Sequence, residues 1–165
     1  MTRCTIEKFL DSMPSEDTLK IFDINLRQHY YSRELVEASM DKCNVLKIND
    51  EELIVVKEML ELSNVAPEEI CSELMRLYSI DILILTCGID GSHVFSNSEH
   101  SFFDTPKVSV ADTVGAGDSF TATMCAGFLK GIPLKQVHKR AVDVSAFVCT
   151  QNGAMPVLPT TLLDW

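Results

Sequence analysis

The stretch with the most chemical content is Asp112-Thr113-Val114-Gly115-Ala116-Gly117-Asp118-Ser119-Phe120, a glycine-bearing loop that runs into a helix and carries a carboxylate at the turn. Gly115 and Gly117 permit backbone angles that side chains forbid, so the amides of Ala116, Gly117 and Asp118 can converge on one point. Small and apolar residues follow at helical spacing until Gly131-Ile132-Pro133, which places that point at a helix N-terminus. Free N–H groups and the helix dipole favour an anion there, and a nucleotide phosphate fits best. An anion cradle beside a carboxylate suits phosphoryl transfer to a hydroxyl: amides neutralise charge on the transferred group while Asp118 accepts the acceptor's proton. Two commoner phosphate loops are excluded. A Walker A loop needs lysine where Asp118 stands, and the dinucleotide fingerprint needs a small residue where Phe120 stands.

Other residues with chemistry sit where strands end. Asn49 and Glu52 lie three apart where a strand passes into a helix, so both can address the same space beyond the sheet, or simply begin a solvated acidic helix. Thr86 and Gly88 end the most apolar strand, where a hydroxyl and bare backbone can approach a nucleotide, or form an ordinary strand-ending turn. Asp23, Asn25 and Arg27 alternate along a third strand end, as substrate ligands or as hydrogen-bonded polar termini. The histidines His29, His93, His100 and His138 have no acidic or cysteine partners at useful spacing and receive no role; His138 with Lys139 and Arg140 reads as the wet face of the last helix.

The elements that must position these residues alternate. A helix carries Ile6, Phe9, Leu10 and Met13 on one face, closed by a turn over 14–17; a buried strand covers 19–24; a helix capped by Ser32 spans 33–43; a strand covers 44–48; a helix capped by Asp50 runs to Leu62; Pro67 opens another to Tyr78; and 81–86 is the clearest strand. Then His93-Val94-Phe95 and Ser101-Phe102-Phe103 form an edge hairpin, and after the glycine loop a last helix covers 134–150, closed by Asn152-Gly153 as a left-handed cap. The pattern predicts an α/β fold, a three-layer, mostly parallel sheet with helices on both faces and an antiparallel edge hairpin, with ligands at the strands' carboxyl ends.

The glycine stretch resembles the C-terminal signature of the ribokinase-like (PfkB) carbohydrate kinases. Asp23-Ile24-Asn25-Leu26-Arg27, Lys47-Ile48-Asn49-Asp50-Glu51-Glu52 and Leu85-Thr86-Cys87-Gly88-Ile89-Asp90-Gly91 are similar, in order, to blocks of its bacterial fructokinase branch. The resemblance covers the C-terminal half of such a kinase. It implies that residues 1–165 are the nucleotide-binding and catalytic part, with the N-terminal sugar-binding half and lid not in this chain. It further implies ATP-dependent phosphorylation of a free sugar, fructose foremost, at a primary hydroxyl. Asp118 would be the base and the amides of Gly115, Ala116, Gly117 and Asp118 the anion hole. Thr86, Gly88 and Gly91 would lie against ATP, and Asn49 with Glu52 would order Mg²⁺ through water. Asp23, Asn25 and Arg27 would face the substrate. Asp112 and Thr113 would form a loop for a monovalent cation, K⁺, through backbone oxygens, and the intact enzyme would be a homodimer. The alternatives are a non-catalytic nucleotide-binding remnant, or a kinase of the family for another sugar or a nucleoside.

With 165 residues the chain has the size of one domain, and a chain this long buries about 70% of its unfolded surface. Its 46% hydrophobic and 23% charged residues are a globular composition. A formal charge of −10 disfavours nucleic acid and anionic membranes, which reward clustered cations, and leaves small-molecule sugar and nucleotide chemistry. Six scattered cysteines without Cys-x-x-Cys spacing argue against zinc and for a reducing cytoplasm; no run approaches a membrane span.

Overall fold

The computed structural model describes residues 2–14, 18–28 and 30–165. The turn expected over 14–17 and His29 therefore fall wholly or mostly outside the described residues. Five strands, β1 (Ile21–Asp23), β2 (Val45–Asn49), β3 (Ile82–Thr86), β4 (Ser92–Ser96) and β5 (His100–Phe103), form one sheet in chain order. β1, β2 and β3 are parallel, and β4 and β5 are antiparallel additions at one edge. The helices are α1 (Thr2–Ser12), α2 (Arg33–Met40), α3 (Asp50–Met59), α4 (Pro67–Tyr78), α5 (Ala116–Leu129), α6 (Leu134–Cys149) and the short α7 (Thr160–Leu163).

The sheet divides the core in two. Leu46, Ile48, Leu83 and Leu85 face Val36, Met40, Leu53, Val56, Ile70 and Leu74 of α2, α3 and α4. Val45, Ile84 and Val94 face Phe120, Met124, Val137 and Ala141 of α5 and α6. β2 and β3 are buried on both faces because helices cover both, which is why they read as apolar runs rather than alternating ones. On the second side α5 and α6 approach closely enough that a Cβ at Gly127 would lie 2.5 Å from Val137 Cγ2, so the helix contact itself requires glycine.

Several expectations change in detail. β1 is only three residues long and half-buried, because in this chain it pairs with β2 alone. Ser32 does cap α2, its Oγ accepting from the Leu35 amide at 3.3 Å, but the helix ends at Met40. The cap of α3 is Asn49, not Asp50, since Asn49 can exchange hydrogen bonds with Glu52 and Asp50 cannot; α3 then stops at Met59, before left-handed Glu61. α6 ends on Thr150 in right-handed conformation, and left-handed Gly153 belongs to the following loop.

His138 is the largest correction. Far from lining a wet face, it is fully buried, with Nε2 2.8 Å from Ser92 Oγ and Nδ1 2.9 Å from Ser101 Oγ. The rings of Phe103 and Phe120 meet it edge-on. Burial pushes its pKa down to about 4. Both serines lie on neighbouring strands, so this neutral histidine ties the antiparallel edge to α6.

Candidate active site

Gly115 begins α5. It has φ +82°, and a Cβ there would lie 2.6 Å from the Ala154 carbonyl oxygen, so both the turn and the close approach of the loop after α6 demand glycine. No side chain caps α5. Ala116 turns its amide onto the Thr113 carbonyl at 3.3 Å, and Ser119 donates to the Gly115 carbonyl at 2.9 Å. Between them the amides of Gly117 and Asp118 have no acceptor among the described residues, two first-turn donors aimed out of the helix end. Asp118 is the third residue of α5, exposed, and its carboxylate has no hydrogen-bond or ion-pair partner among the described residues. The simple alternative for it, a capping aspartate, does not hold.

The cradle is braced from below by charge. Lys47, near the end of β2, is buried, and its Nζ lies 3.1 Å from Asp23 Oδ1. The other Asp23 oxygen accepts from Thr121 Oγ1 of α5 at 3.0 Å. A Cβ on Gly117 would come within 3.3 Å of the Lys47 Nζ, so the ammonium sits directly under the glycine. The Lys47–Asp23 pair places an ammonium nearest the glycine and the compensating carboxylate farther off, so the positive end of the pair is the one beside the two open N–H groups. Lys47 received no role from the sequence; its signal is a lysine embedded in the apolar strand Val45-Leu46-Lys47-Ile48. The same contacts separate Asp23 from its expected companions. Its carboxylate is spent on Lys47 and Thr121, whereas Asn25, at φ +46°, and Arg27 are exposed.

Asn49 and Glu52 close on each other. Asn49 Oδ1 accepts from the Glu52 amide at 2.8 Å, Glu52 Oε2 accepts from the Asn49 amide at 3.0 Å, and Oε1 accepts from the Leu26 amide at 2.9 Å. Glu52 is 8% exposed, so this is not a solvated acidic helix start. Each carboxylate oxygen keeps a lone pair, and an oxygen-only donor set of this kind fits a hydrated hard cation rather than direct ligation. β2 and β3 pair Asn49 with Thr86, which brings that hydroxyl beside the same strand ends. Gly88, φ +54°, is exposed in a 3-10 turn (Gly88–Asp90), its carbonyl held by Thr105 Oγ1 at 2.6 Å. Gly91 is buried, and a Cβ there would lie 2.5 Å from the Phe103 carbonyl oxygen.

Asp112 organises the loop before α5. Its two oxygens accept from the Val114 amide at 3.0 Å and the Gly153 amide at 3.2 Å. Those bonds, Val114 first, hold its carboxyl below the usual carboxylate range. A cation at this loop would therefore meet backbone oxygens, while Thr113 is exposed. Among the described residues no three histidine, cysteine or acidic side chains gather as metal ligands. Burial pushes the Cys43 and Cys71 thiols up to about 12, which makes them inert.

Comparison with known proteins identifies the family and the fold. Residues 4–161 match the family described as pfkB family carbohydrate kinase. The chain is 30% identical over 165 residues to the ATP-dependent 6-phosphofructokinase of Thermoanaerobacterium thermosaccharolyticum, covering 96% of this chain and 49% of that protein. It is 26% identical over 165 residues to fructokinase-2 of Solanum lycopersicum, covering 93% and 49%. The chain thus spans about half the length of the curated relatives it matches. Its fold superposes with a TM-score of 0.81 on 2-dehydro-3-deoxygluconokinase from Thermotoga maritima, at 23% identity over 94% of this chain and 51% of that one. It superposes with 0.70 on a fructokinase with bound ATP from Xylella fastidiosa, at 21% identity over 88% and 51%. A five-stranded sheet with helices on both faces, an uncapped glycine-bearing helix end and a match over nearly the whole sequence lead to one conclusion: the chain belongs to the pfkB family of carbohydrate kinases.

Proposed function

We propose that this chain is the nucleotide-binding and catalytic part of a kinase that transfers the γ-phosphoryl group of ATP to a primary hydroxyl of a free hexose, fructose foremost. The observation that carries the reading is the start of α5. Two amides without acceptors among the described residues stand over a buried lysine, and a carboxylate without a partner among those residues stands beside them. Phosphoryl transfer needs those parts: donors for charge on the transferred oxygens, and a base within reach of the acceptor hydroxyl. The amides of Gly117 and Asp118 would hold the phosphoryl oxygens. Asp118 would take the alcohol proton as the new bond forms. Asn49 and Glu52 would position hydrated Mg²⁺ by accepting hydrogen bonds from its waters, where the ion neutralises phosphate charge when bound. Thr86 and Gly88, at the neighbouring strand end, would contact the nucleotide, and exposed Arg27 and Asn25 would face the acceptor. K⁺ at the 112–113 loop, a cytoplasmic setting and a homodimer complete the proposal. No helix among the described residues is long and apolar enough to cross a membrane.

A second reading is a nucleotide-binding module without turnover. ADP release in the presence of ATP, Mg²⁺ and a panel of hexoses and hexose phosphates separates the two. Turnover by the full-length kinase containing this sequence, abolished by Asp118→Asn with ATP binding retained, supports the first. ATP binding without turnover on any acceptor supports the second.

A further inference from the structure

One cluster of titratable groups lies outside the proposed kinase site. β4 and β5 place Phe95 opposite His100 and His93 opposite Phe102, so these four side chains share one sheet face. It is the face turned away from α6, because the alternate residues Ser92, Ser101 and Phe103 are the ones that meet His138. There His93 Nδ1 lies 3.0 Å from His100 Nε2. The two imidazole rings are parallel within 6°; His100 stacks on Phe95 at a centroid distance of 4.4 Å, and His93 meets Phe102 at 4.7 Å, tilted by 45°. His100 is exposed, His93 is half-buried, and neither forms an ion pair with an acidic side chain among the described residues.

From this geometry we infer that His93 and His100 form a two-imidazole site for a borderline divalent transition ion such as Ni²⁺, Zn²⁺ or Cu²⁺. Two nitrogens bound to one ion at about 2.0–2.1 Å, with an angle between 90° and tetrahedral, lie about 3 Å apart, and imidazole suits these three metals. The pair already has that separation. On binding, the nitrogen that carries the shared proton passes it through solvent to the outer nitrogen of the same ring. The rings then turn so that both lone pairs meet at the ion, with no net proton released. Burial, followed by the charge of His100, lowers the pKa of His93, which favours the neutral, ligating ring. Water would fill the other coordination positions, reached from the solvent side of exposed His100. Mg²⁺, which prefers oxygen, would not compete. The ion would clamp the two outer strands of the sheet.

Calorimetric titration of NiCl₂ into the full, reduced chain tests this. The expected result is one saturable site that is unchanged by Cys4→Ser or excess MgCl₂ and abolished by His100→Asn. Because His100 is exposed on an edge strand, that variant should keep its fold, which circular dichroism checks. His93→Asn should abolish the site too, and paramagnetic Ni²⁺ should broaden amide signals of residues 92–103 first. Undiminished binding in the double variant, or broadening centred elsewhere, would overturn the inference.

Discussion

Two helices begin at the same end of the sheet, and they treat their N-termini in opposite ways. α3 closes its own: Asn49 and Glu52 exchange hydrogen bonds, and the spare Glu52 oxygen takes the Leu26 amide. α5 leaves its own open, entered through left-handed Gly115, without a side-chain cap and with the Gly117 and Asp118 amides unmatched among the described residues, above Lys47. A helix end of the first kind stabilises the fold, since buried N–H groups are satisfied internally. One of the second kind forgoes about 1 kcal/mol of capping and is stabilised only when an anion arrives. Under the proposed function the closed terminus is structural first, with hydrated Mg²⁺ beside it, while the open terminus waits for an anion, and each part can be broken by substitution.

The largest effect belongs to the open terminus. In the full-length kinase Asp118→Asn is expected to lower kcat by about 10²–10⁴-fold, the usual contribution of a general base, with ATP affinity nearly unchanged. Steady-state rates and nucleotide titration check it, and near wild-type turnover would remove Asp118 from the role. Acid comes next, and it bounds every pH experiment on either terminus. The folded pKa of His138, about 4, is below the unfolded value of about 6.5, so the unfolded state binds the proton first. Stability from keeping this ring neutral is complete above about pH 6.5 and falls as pH drops toward 4, by about 3 kcal/mol in all. Urea midpoints at pH 7 and pH 4.5 should show the loss, and His138→Gln should flatten the slope.

Gly115→Ala should cost about 1–3 kcal/mol, from positive φ and collision with Ala154, and should weaken ATP binding as the amides shift. Glu52→Gln should have the smallest effect, about 1 kcal/mol of stability read by denaturant unfolding. If Glu52 also orders Mg²⁺, the same variant of the full-length kinase needs more magnesium for half-maximal rate. A stability loss with unchanged magnesium dependence restricts Glu52 to capping.

How far these features were legible in the sequence depends on which interactions are local. Ser32, Pro67, the run over 81–86 and the glycine loop announce themselves because caps, proline and left-handed turns act within four residues. Asn-x-x-Glu was legible as a pair but ambiguous in meaning, since the spacing that brings two side chains together before a metal also makes a capping box. His138 was misplaced by its neighbours Lys139 and Arg140, although the inward spacing of Leu134, Val137, Ala141 and Val142 includes it. Its serine partners are 46 and 37 residues away, beyond local pattern. No local pattern pairs Lys47 with Asp23, because only the β1–β2 register sets one beside the other. The extent of β1 was overread because burial at an edge depends on what lies beside it.

The most direct test of the open terminus is an amide-resolved NMR titration of the full chain with ATP and Mg²⁺. The account predicts that the Gly117 and Asp118 amides move first and furthest and that both shifts shrink in Gly115→Ala, while the Glu52 amide, already bonded to Asn49, moves little. Saturable ATP binding that leaves Gly117 and Asp118 unmoved would contradict it.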